Sequence, residues 1–219
     1  MSDQSLYENL RKDYKLNSLL KEHVFEDPIR QFKKWFQQAL DAGCLEANAM
    51  TLSTVNELMQ PDSRIVLLKG IDEHGFRFYT NYKSQKGHQI HQNNQVSLVF
   101  FWPELERQVR IRGEASMLSK EESLSYFNSR PKGSQIGAWS SPQSQIIAYR
   151  NELEQRVEHY QSTFKDNEQI PLPDFWGGYL ISPYMIEFWQ GRSSRLHDRL
   201  RYTLQDLSPK KWAIDRLAP

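Results

Sequence analysis

The feature that most constrains the fold of this chain is a succession of short segments that read as β-strands and are separated by short turns. Each has either alternating apolar and polar residues or a continuous apolar run. They lie at 50–55, 64–69, 76–79, 96–101, 107–118, 178–181, 186–189, 199–204 and 212–216. Strands that follow one another through short loops pair antiparallel, because a parallel pair needs a long crossover. The pattern predicts a mainly β fold, with an antiparallel sheet closed into a barrel and flanked by helices.

Four helical segments accompany these strands. The first begins at Asp27 and Pro28, a favourable helix start, and carries apolar residues at helical spacing until Gly43 ends it. The other three are predicted at 83–93, at 119–130 behind a Ser-x-x-Glu capping box, and at 144–164. Residues 1–26 are polar and are interpreted as a mobile N-terminal arm, which leaves 27–219 as a single domain.

Composition and charge exclude several classes of protein. The chain has 219 residues, a formal net charge of +1 and 25% charged residues, which disfavours a disordered tail or a strongly basic nucleic-acid binder. Cys44 is the one cysteine, so an internal disulfide is excluded and a reducing compartment is favoured. No signal peptide is recognisable, and the longest apolar run, 96–102, is too short to cross a membrane. We therefore expect a cytoplasmic protein that binds neither nucleic acid nor membrane.

Several common catalytic and binding motifs are absent. The sequence contains no Gly-x-Gly-x-x-Gly after a strand, no P-loop and no nucleophile elbow. His88 and His91 are three residues apart, but no third ligand lies near them, so no metal site is predicted. If the protein binds a phosphate group, side chains must provide the donors.

One local cluster of cations stands out on this nearly neutral chain. It comprises Arg192, Arg195, His197, Arg199 and Arg201. If the segment is extended, the last four share one face, because side chains alternate along a strand, and their donors converge on one region. The alternative is a solvated, charged edge strand. The pattern by itself does not decide between these two interpretations.

A resemblance to a known family rests on this cluster and on the residues before it. Glu187-Phe188-Trp189-Gln190-Gly191 followed by Arg195-Leu196-His197-Asp198-Arg199 resembles the C-terminal signature of pyridoxine 5′-phosphate oxidases. The end of the chain, 214–219, is similar as well. Further similar stretches occur in the same order over nearly the whole chain, at 64–69, 78–81, 106–109, 129–131, 134–139, 171–173 and 175–178.

The resemblance implies a fold, a cofactor and a reaction. The fold is an FMN-binding split β-barrel of antiparallel, Greek-key type, used as a homodimer with FMN at the interface. The reaction is the oxidation of pyridoxine 5′-phosphate or pyridoxamine 5′-phosphate to pyridoxal 5′-phosphate, in the biosynthesis and salvage of vitamin B6. A hydride passes from the substrate C4′ carbon to flavin N5, and O2 reoxidises the flavin and gives H2O2.

The resemblance also implies which residues form the site. Arg195 and His197 are the expected catalytic residues, next to the reacting side of the pyridine ring. The substrate is expected to contact these two and also Lys69, Tyr126, Arg130, Ser134, Arg11 and Tyr14, the last two from the N-terminal arm. The residues expected to hold FMN are Arg64, Ile65, Val66, Leu67, Leu68, Lys69, Tyr79, Thr80, Gln85, Lys86, Gln108, Gln143, Ser144, Trp189 and Arg199.

The chain departs from the family pattern at one cofactor position. Ser84-Gln85-Lys86 carries glutamine where the family usually has arginine. One cation for the FMN phosphate is therefore missing, and weaker retention of FMN is predicted unless Lys83 nearby substitutes for it.

Two other functions stay open from the residues. One is a split-barrel FMN oxidoreductase of another specificity, although a flavin site by itself needs neither Arg130 nor the triplet Arg195-Leu196-His197. The other is a non-catalytic module that binds pyridoxal phosphate. Nucleic-acid binding through the arginine cluster is disfavoured by the neighbouring acidic residues.

Overall fold

The computed structural model describes residues 13–219, which contain five α-helices and nine β-strands. The helices are α1 (Pro28–Asp41), α2 (Gln85–Gln92), α3 (Lys120–Ser129), α4 (Lys132–Ser140) and α5 (Arg150–Thr163). The strands are β1 (Ala49–Val55), β2 (Pro61–Leu67), β3 (Gly70–Ile71), β4 (Phe76–Asn81), β5 (Gln95–Trp102), β6 (Arg107–Met117), β7 (Trp176–Gln190), β8 (Asp198–Leu207) and β9 (Lys210–Leu217). Along the described chain, no helix combines the length and the apolar character that crossing a membrane requires.

The strands form one hydrogen-bonded sheet. Seven of them follow the order β2-β1-β5-β6-β7-β4-β3, while β8 pairs with β7 and with β9. The pairings of β4 with β3 and β7, and of β8 with β7 and β9, are all antiparallel, as the short connections predict. The chain divides into two compact units. The terminal unit comprises the described part of Met1–Ala49 with Val99–Ile111 and Tyr184–Pro219, and the central unit comprises Met50–Leu98 and Arg112–Pro183.

Helix α1 supplies much of the core of the terminal unit. The Asp27 carboxylate accepts a hydrogen bond from the Ile29 backbone N–H at 2.9 Å, and Pro28 fills the first helical position, which confirms the predicted start. The helix buries Phe32 against Phe100, with ring centroids 4.9 Å apart. Burial of one such side chain contributes about 1.5–3 kcal/mol, so this face fixes the helix in place.

The helices of the central unit enclose a second apolar cluster. The predicted capping box is present at the start of α3, where Ser119 and Glu122 each accept from the other's backbone N–H. Phe127 of α3 is fully buried, and it packs with Trp176 at the start of β7 and with Ile136, Phe164 and Ile170. The start of β7 is thereby held against three helices.

The predicted helix over 144–164 is wrong in its first part. Residues 141–149 are not helical, Ser144 has a φ of +69°, and α5 begins only at Arg150. A left-handed residue cannot continue a right-handed helix, and Pro142 further restricts this loop. Helix α4 was not predicted, because Gly133 and Gly137 lower its intrinsic helix propensity.

The two strands predicted at 178–181 and 186–189 are one strand, β7. Pro183 stands between the two predicted segments, and proline cannot donate to a strand ladder. However, β4 pairs with Trp176–Ile181 and β8 pairs with Met185–Gln190. Pro183 falls between these two pairings, so its missing N–H interrupts neither of them.

The interpretation in which four cationic residues share one face of an extended segment does not hold for two of them. Strand β8 begins at Asp198, and Ser193–Arg195 form a short 3-10 turn ahead of it. Arg195 has a φ of +61°, which is incompatible with an extended strand. Arg195 and His197 therefore lie in the β7–β8 loop, whereas Arg199 and Arg201 lie on β8.

Candidate active site

A cavity of about 310 Å³ lies within the central unit, beside β2, β4, α2 and α3. Of its twelve lining residues, all but Asn81 and Trp176 are predicted site residues. Those ten are Ile65, Val66, Leu67, Lys69, Tyr79, Thr80, Lys86, Tyr126, Arg130 and Gln143. The structure thus brings together side chains that the sequence places on several different elements.

Lys86 presents a partly buried cation to this cavity. Its ammonium donates to Gln143 Oε1 at 3.0 Å and to the hydroxyls of Thr80 and Ser84 at 3.3 Å. Burial lowers the pKa of Lys86 to about 8, with a further contribution from the positive charge of Arg64. A bound phosphate would offset both effects, because it favours the charged ammonium.

Arg64 belongs to a partly buried network within the same unit. One guanidinium nitrogen donates to Thr54 Oγ1 at 2.6 Å, and the other donates to Asp62 Oδ2 at 2.5 Å and to Gln89 Oε1 at 3.2 Å. Gln89 also donates to Asp62 Oδ2 at 3.3 Å. The network fixes the direction of the guanidinium, while Asp62 offsets part of its charge.

This donor set fits the FMN cofactor that the sequence implies. A phosphate monoester needs cations that are already oriented, and Arg64 and Lys86 are close enough for one to lower the pKa of the other. Thr80 and Gln143 add a hydroxyl and an amide, which suit the polar edges of a flavin.

An aromatic wall, formed by the stacked rings of Tyr79, Tyr126 and Trp176, lines another part of the cavity together with the cation Arg130. Tyr79 and Tyr126 stack with ring centroids 3.9 Å apart, and Tyr79 also stacks on Trp176 at 5.7 Å. The Arg130 guanidinium carbon lies 4.7 Å from the Trp176 ring centroid. Among the described residues, Arg130 Nη1 is buried and has no hydrogen-bond partner. A buried donor of this kind is suited to an anionic ligand.

Five predicted site residues of the central unit are not among the side chains that line this cavity, and Arg64, with the network described above, is one of them. Leu68 is 6% exposed and belongs to the core, whereas Gln85 and Ser134 are exposed on α2 and α4. Ser144 follows Gln143 in the left-handed loop. Their proposed roles stay predictions.

A second group of predicted residues lies in the terminal unit. The rings of Tyr14, Trp189 and His197 form a cluster, with centroid distances of 5.8 Å for Tyr14–Trp189, 6.0 Å for Tyr14–His197 and 4.6 Å for Trp189–His197. Arg195 is exposed in the loop beside them, and Gln108 is half-buried on β6. Arg11 lies outside the described residues.

Arg199 is oriented by a buried carboxylate. Its Nε donates to Glu187 Oε1 at 2.9 Å, and Nη1 donates to the carbonyl oxygen of Ala218 at 2.9 Å. Glu187 is 3% exposed and also contacts Arg110 at 3.4 Å. Arg199 therefore has a defined direction before any ligand binds.

The tautomer of His197 follows from its hydrogen bonding. The Arg192 backbone N–H donates to His197 Nδ1 at 3.1 Å, so Nδ1 carries a lone pair and Nε2 carries the hydrogen of the neutral ring. Burial, together with the charge of Arg195, lowers the pKa of His197. Neutral His197 therefore presents a hydrogen-bond donor at Nε2.

Sequence reasoning did not find several groups that orient these residues. Asp62 and Arg64 are two residues apart on β2 and therefore share a face, a signal that could have linked them. Gln89 and Glu187 gave no such signal, because each is far in sequence from the arginine that it contacts. Trp176 occurred in a motif but was not assigned to the site.

Comparison with solved structures identifies the class of protein. PhzG from Burkholderia lata 383, solved in complex with tetrahydrophenazine-1-carboxylic acid, is similar with a TM-score of 0.85 and 27% identity, over 93% of this chain and 99% of that chain. A pyridoxamine 5′-phosphate oxidase-related, FMN-binding protein from Nostoc punctiforme shares the fold, with a TM-score of 0.66 and 18% identity over 86% and 97% of the two chains. Fold and site together define an FMN-binding split β-barrel, and the predicted fold class is confirmed.

Sequence comparison identifies the family. Residues 36–164 match the family described as Pyridoxamine 5′-phosphate oxidase, and residues 176–219 match the Pyridoxine 5′-phosphate oxidase C-terminal dimerisation region. The pyridoxine/pyridoxamine 5′-phosphate oxidases of Trichormus variabilis and Salinibacter ruber are 54% and 50% identical, each over 96% of this chain and over 97% and 98% of the relatives. The chain belongs to the pyridoxine/pyridoxamine 5′-phosphate oxidase family. The predicted enzyme class and the FMN cofactor are confirmed.

Gln85 allows a direct test of the missing phosphate cation. Replacing Gln85 with arginine is expected to lower the dissociation constant for FMN by about tenfold, since a charge-assisted hydrogen bond contributes roughly 1.5–3 kcal/mol. Titration of apoprotein with FMN, followed by quenching of flavin fluorescence, measures the change. Gln92→Arg makes the same substitution at the exposed other end of α2 and serves as the control. Equal affinities for FMN in wild type and Gln85→Arg would contradict the prediction.

Proposed function

We propose that this chain oxidises pyridoxine 5′-phosphate or pyridoxamine 5′-phosphate to pyridoxal 5′-phosphate, with O2 as the final electron acceptor. One observation carries the proposal. A single cavity in the central unit combines Lys86, beside the Arg64 network, with a second cation, Arg130, set in an aromatic wall. Two cationic positions and stacked aromatic rings suit a flavin phosphate and a phosphorylated pyridine.

The chemistry divides between cofactor and protein. When bound, FMN would supply at N5 the two-electron acceptor for the hydride of substrate C4′, and O2 would take up the two electrons together with two protons to give H2O2. The alcohol of pyridoxine 5′-phosphate gives the aldehyde directly, whereas the imine from pyridoxamine 5′-phosphate would take up water and release ammonia. Lys69, Tyr126, Arg130 and Ser134 are proposed to hold the substrate phosphate. Because the phosphate is fixed at one end of the substrate, the pyridine ring is held in a reactive orientation and the entropic cost of alignment is lowered.

Arg195 and His197 are proposed to act at the reacting end of the substrate. His197 offers Nε2–H as a donor, because Nδ1 already accepts from the Arg192 backbone. Arg195 brings a permanent positive charge, which balances negative charge that develops on the substrate heteroatom as its proton leaves. Neutral His197 and cationic Arg195 therefore orient the substrate and stabilise charge.

The lowered pKa of His197 leads to a pH prediction. The charged ring is disfavoured in the folded protein, so the neutral donor persists below the ordinary pKa of 6.5 and is lost only at more acidic pH. Because Arg195 contributes to this shift, Arg195→Leu is expected to raise the pKa of His197. An NMR titration of the imidazole, assigned with a His197→Gln variant, measures both values. A pKa of His197 above 6.5 in the wild type, or no rise of that pKa in Arg195→Leu, would contradict the proposed effect of burial and of the Arg195 charge.

The homodimer, the cytoplasmic location and the metabolic role belong to the same proposal. The match of residues 176–219 to a dimerisation region supports a homodimer, and we propose that FMN binds at its interface. Cys44 is the one cysteine of the chain, which is compatible with a reducing cytoplasm. The product places the reaction in the biosynthesis and salvage of vitamin B6.

A spectroscopic assay tests the proposed reaction. Purified protein is expected to be yellow with bound FMN, and pyridoxine 5′-phosphate under air should yield pyridoxal 5′-phosphate while O2 is consumed and H2O2 accumulates. The same assay with pyridoxamine 5′-phosphate tests the second substrate. A yellow protein that turns over neither substrate would refute the proposed reaction. A colourless protein that binds pyridoxal phosphate would instead indicate a non-catalytic module.

A split-barrel FMN oxidoreductase of another specificity is the second candidate. Its support is the similarity to PhzG, whose structure holds tetrahydrophenazine-1-carboxylic acid, at 27% identity. The relatives at 50–54% identity carry the name of the B6 enzyme and favour the first candidate. Turnover of a phenazine precursor without turnover of either B6 phosphate would reverse this preference.

A further inference from the structure

The described N-terminal segment is attached to the terminal unit through a buried carboxylate. Glu106 Oε2 accepts hydrogen bonds from two consecutive backbone N–H groups, those of Lys15 at 2.9 Å and Leu16 at 3.1 Å. Glu106 is 3% exposed, so the accepting residue is buried, whereas Lys15 and Leu16 are exposed. Hydrogen bonds to a buried carboxylate are among the stronger ones in proteins. The positions of residues 15 and 16 are therefore fixed by a residue about ninety positions away.

The backbone of Glu106 holds the end of β7 at the same place. Its carbonyl oxygen accepts from the Gly191 N–H at 2.8 Å and from Gln190 Nε2 at 3.3 Å. Gly191 begins the loop that carries Arg195 and His197. One residue thus contacts both the N-terminal segment and the start of the loop that bears the two proposed catalytic side chains.

Further hydrogen bonds fix the segment beyond Leu16. The Leu19 N–H donates to Asp198 Oδ2 at 3.0 Å, and the Leu19 carbonyl accepts from Arg216 at 2.8 Å. Arg192 donates to the Asn17 carbonyl at 3.3 Å. The segment from Lys15 to Leu19 is therefore held at both ends, and Asp198 directly follows His197.

Tyr14 precedes the anchored residues and contacts the proposed catalytic loop. Its ring meets Trp189 and His197 edge-on. It also lies against Gly191, where a Cβ atom would come within 2.7 Å of Tyr14 Cγ. Only glycine leaves room for the ring at this position. The close contact means that a small shift of the segment at Lys15 would move Tyr14 away from His197.

We propose that Glu106 is a positioning residue, whose carboxylate fixes the backbone at residues 15 and 16 and thereby holds Tyr14 against Trp189 and His197. The inference rests on the proposed function, because it gives the position of Tyr14 and His197 a consequence for substrate binding. Glu106 itself acts through the N-terminal segment. Its loss is expected to weaken substrate binding more than the chemical step.

Glu106→Ala removes the acceptor, and Glu106→Gln keeps an acceptor oxygen without the charge. We expect Glu106→Ala to raise the KM for pyridoxine 5′-phosphate by about tenfold, with a smaller effect on kcat, while Glu106→Gln restores most of the wild-type KM. FMN affinity and melting temperature should stay close to wild type in both. Glu104→Gln removes the same charge from an exposed side chain two residues earlier and is the matched control.

A second readout does not depend on turnover. Trypsin cleavage after Lys15, followed by mass spectrometry of the 1–15 fragment, is expected to be about tenfold faster in Glu106→Ala than in Glu104→Gln, because protease access follows local opening. Leu16→Pro removes one of the two donors and leaves Glu106 in place. Because the Leu16 side chain is 54% exposed, this variant should fold even if Glu106→Ala does not. Trypsin does not cleave a Lys–Pro bond, so the readout for this variant is hydrogen exchange of the Lys15 amide, which is expected to be faster than in Glu104→Gln.

The outcomes separate the two proposals. If wild type oxidises the substrate but Glu106→Ala matches Glu104→Gln in KM and in cleavage rate, the positioning role is overturned and the proposed function stands. If wild type turns over neither B6 phosphate, the proposed function fails, and the cleavage rates still report whether Glu106 anchors the segment. Equal losses of FMN affinity, kcat and melting temperature in Glu106→Ala, without rescue by Glu106→Gln, would mean a structural role only.

Discussion

Replacing Arg195 with leucine is expected to lower kcat for pyridoxine 5′-phosphate on the order of 100-fold, as loss of one oriented electrostatic group at a reacting centre commonly does. The dissociation constant for FMN should change by less than about twofold, since Arg195 is not among the residues proposed to hold FMN. Arginine and leucine both tolerate the observed φ of +61° poorly, so the substitution should not add backbone strain. Steady-state kinetics and FMN titration on the same preparation measure both effects.

Arg192→Leu is the matched control for this experiment. It removes the same charge three residues earlier, while the backbone N–H that bonds His197 Nδ1 is retained. It also removes the side-chain hydrogen bond to the Asn17 carbonyl, which we expect to affect KM rather than kcat. Its kcat is expected to stay within about threefold of wild type. Unchanged turnover in Arg195→Leu, or equal losses in both variants, would refute a specific catalytic role for Arg195.

Arg130→Met is expected to raise the KM for pyridoxine 5′-phosphate about 100-fold with little change in FMN affinity. The guanidinium packs on Trp176 and has a buried Nη1 without a partner among the described residues, so its loss should remove a prepared phosphate donor. Methionine keeps the apolar stem and limits the loss of packing. Arg130→Lys retains the charge but not the paired donors, and an intermediate KM is expected.

The substrate without its phosphate provides a sharp control for Arg130. Pyridoxine has the same ring and reacting carbon, so Arg130→Met should affect its turnover by less than about threefold if the residue recognises phosphate. Arg150→Met, on the exposed face of α5, controls for loss of one positive charge from the protein. Equal losses for both substrates would show that Arg130 does not act through the phosphate group.

Local signals predicted most of the elements correctly, and the failures have identifiable causes. Asp27-Pro28 and the Ser119-Glu122 box locate the starts of α1 and α3, because capping depends on residues adjacent in sequence. The misplaced start of α5 depends on the left-handed Ser144, a conformation that only surrounding contacts can impose on serine. The two segments predicted at 178–181 and 186–189 form one strand, because whether Pro183 interrupts a strand depends on where the neighbouring strands pair.

The site was also predictable only where the signal lies in residues adjacent in sequence. Motifs that occur in the same order as in the family predicted Arg130, Lys86 and Arg195 as site residues, because these residues lie in short stretches that resemble that family. The groups that orient them, among them Gln89 and Glu187, lie far away in sequence and carry no motif of their own. Their partners become visible only when the distances between atoms are known.

The sequence by itself determined the strand-rich antiparallel architecture, the capped helices and the residue types that could bind two phosphates, because these follow from periodicity, capping and charge. Tertiary structure decided that Arg195 and His197 lie in a loop rather than on a strand. It also decided which nitrogen of His197 carries the hydrogen, and that Glu106 anchors residues 15 and 16. These features depend on hydrogen bonds between backbone and side-chain atoms that folding brings within about 3 Å, and such contacts leave no periodic trace in a sequence.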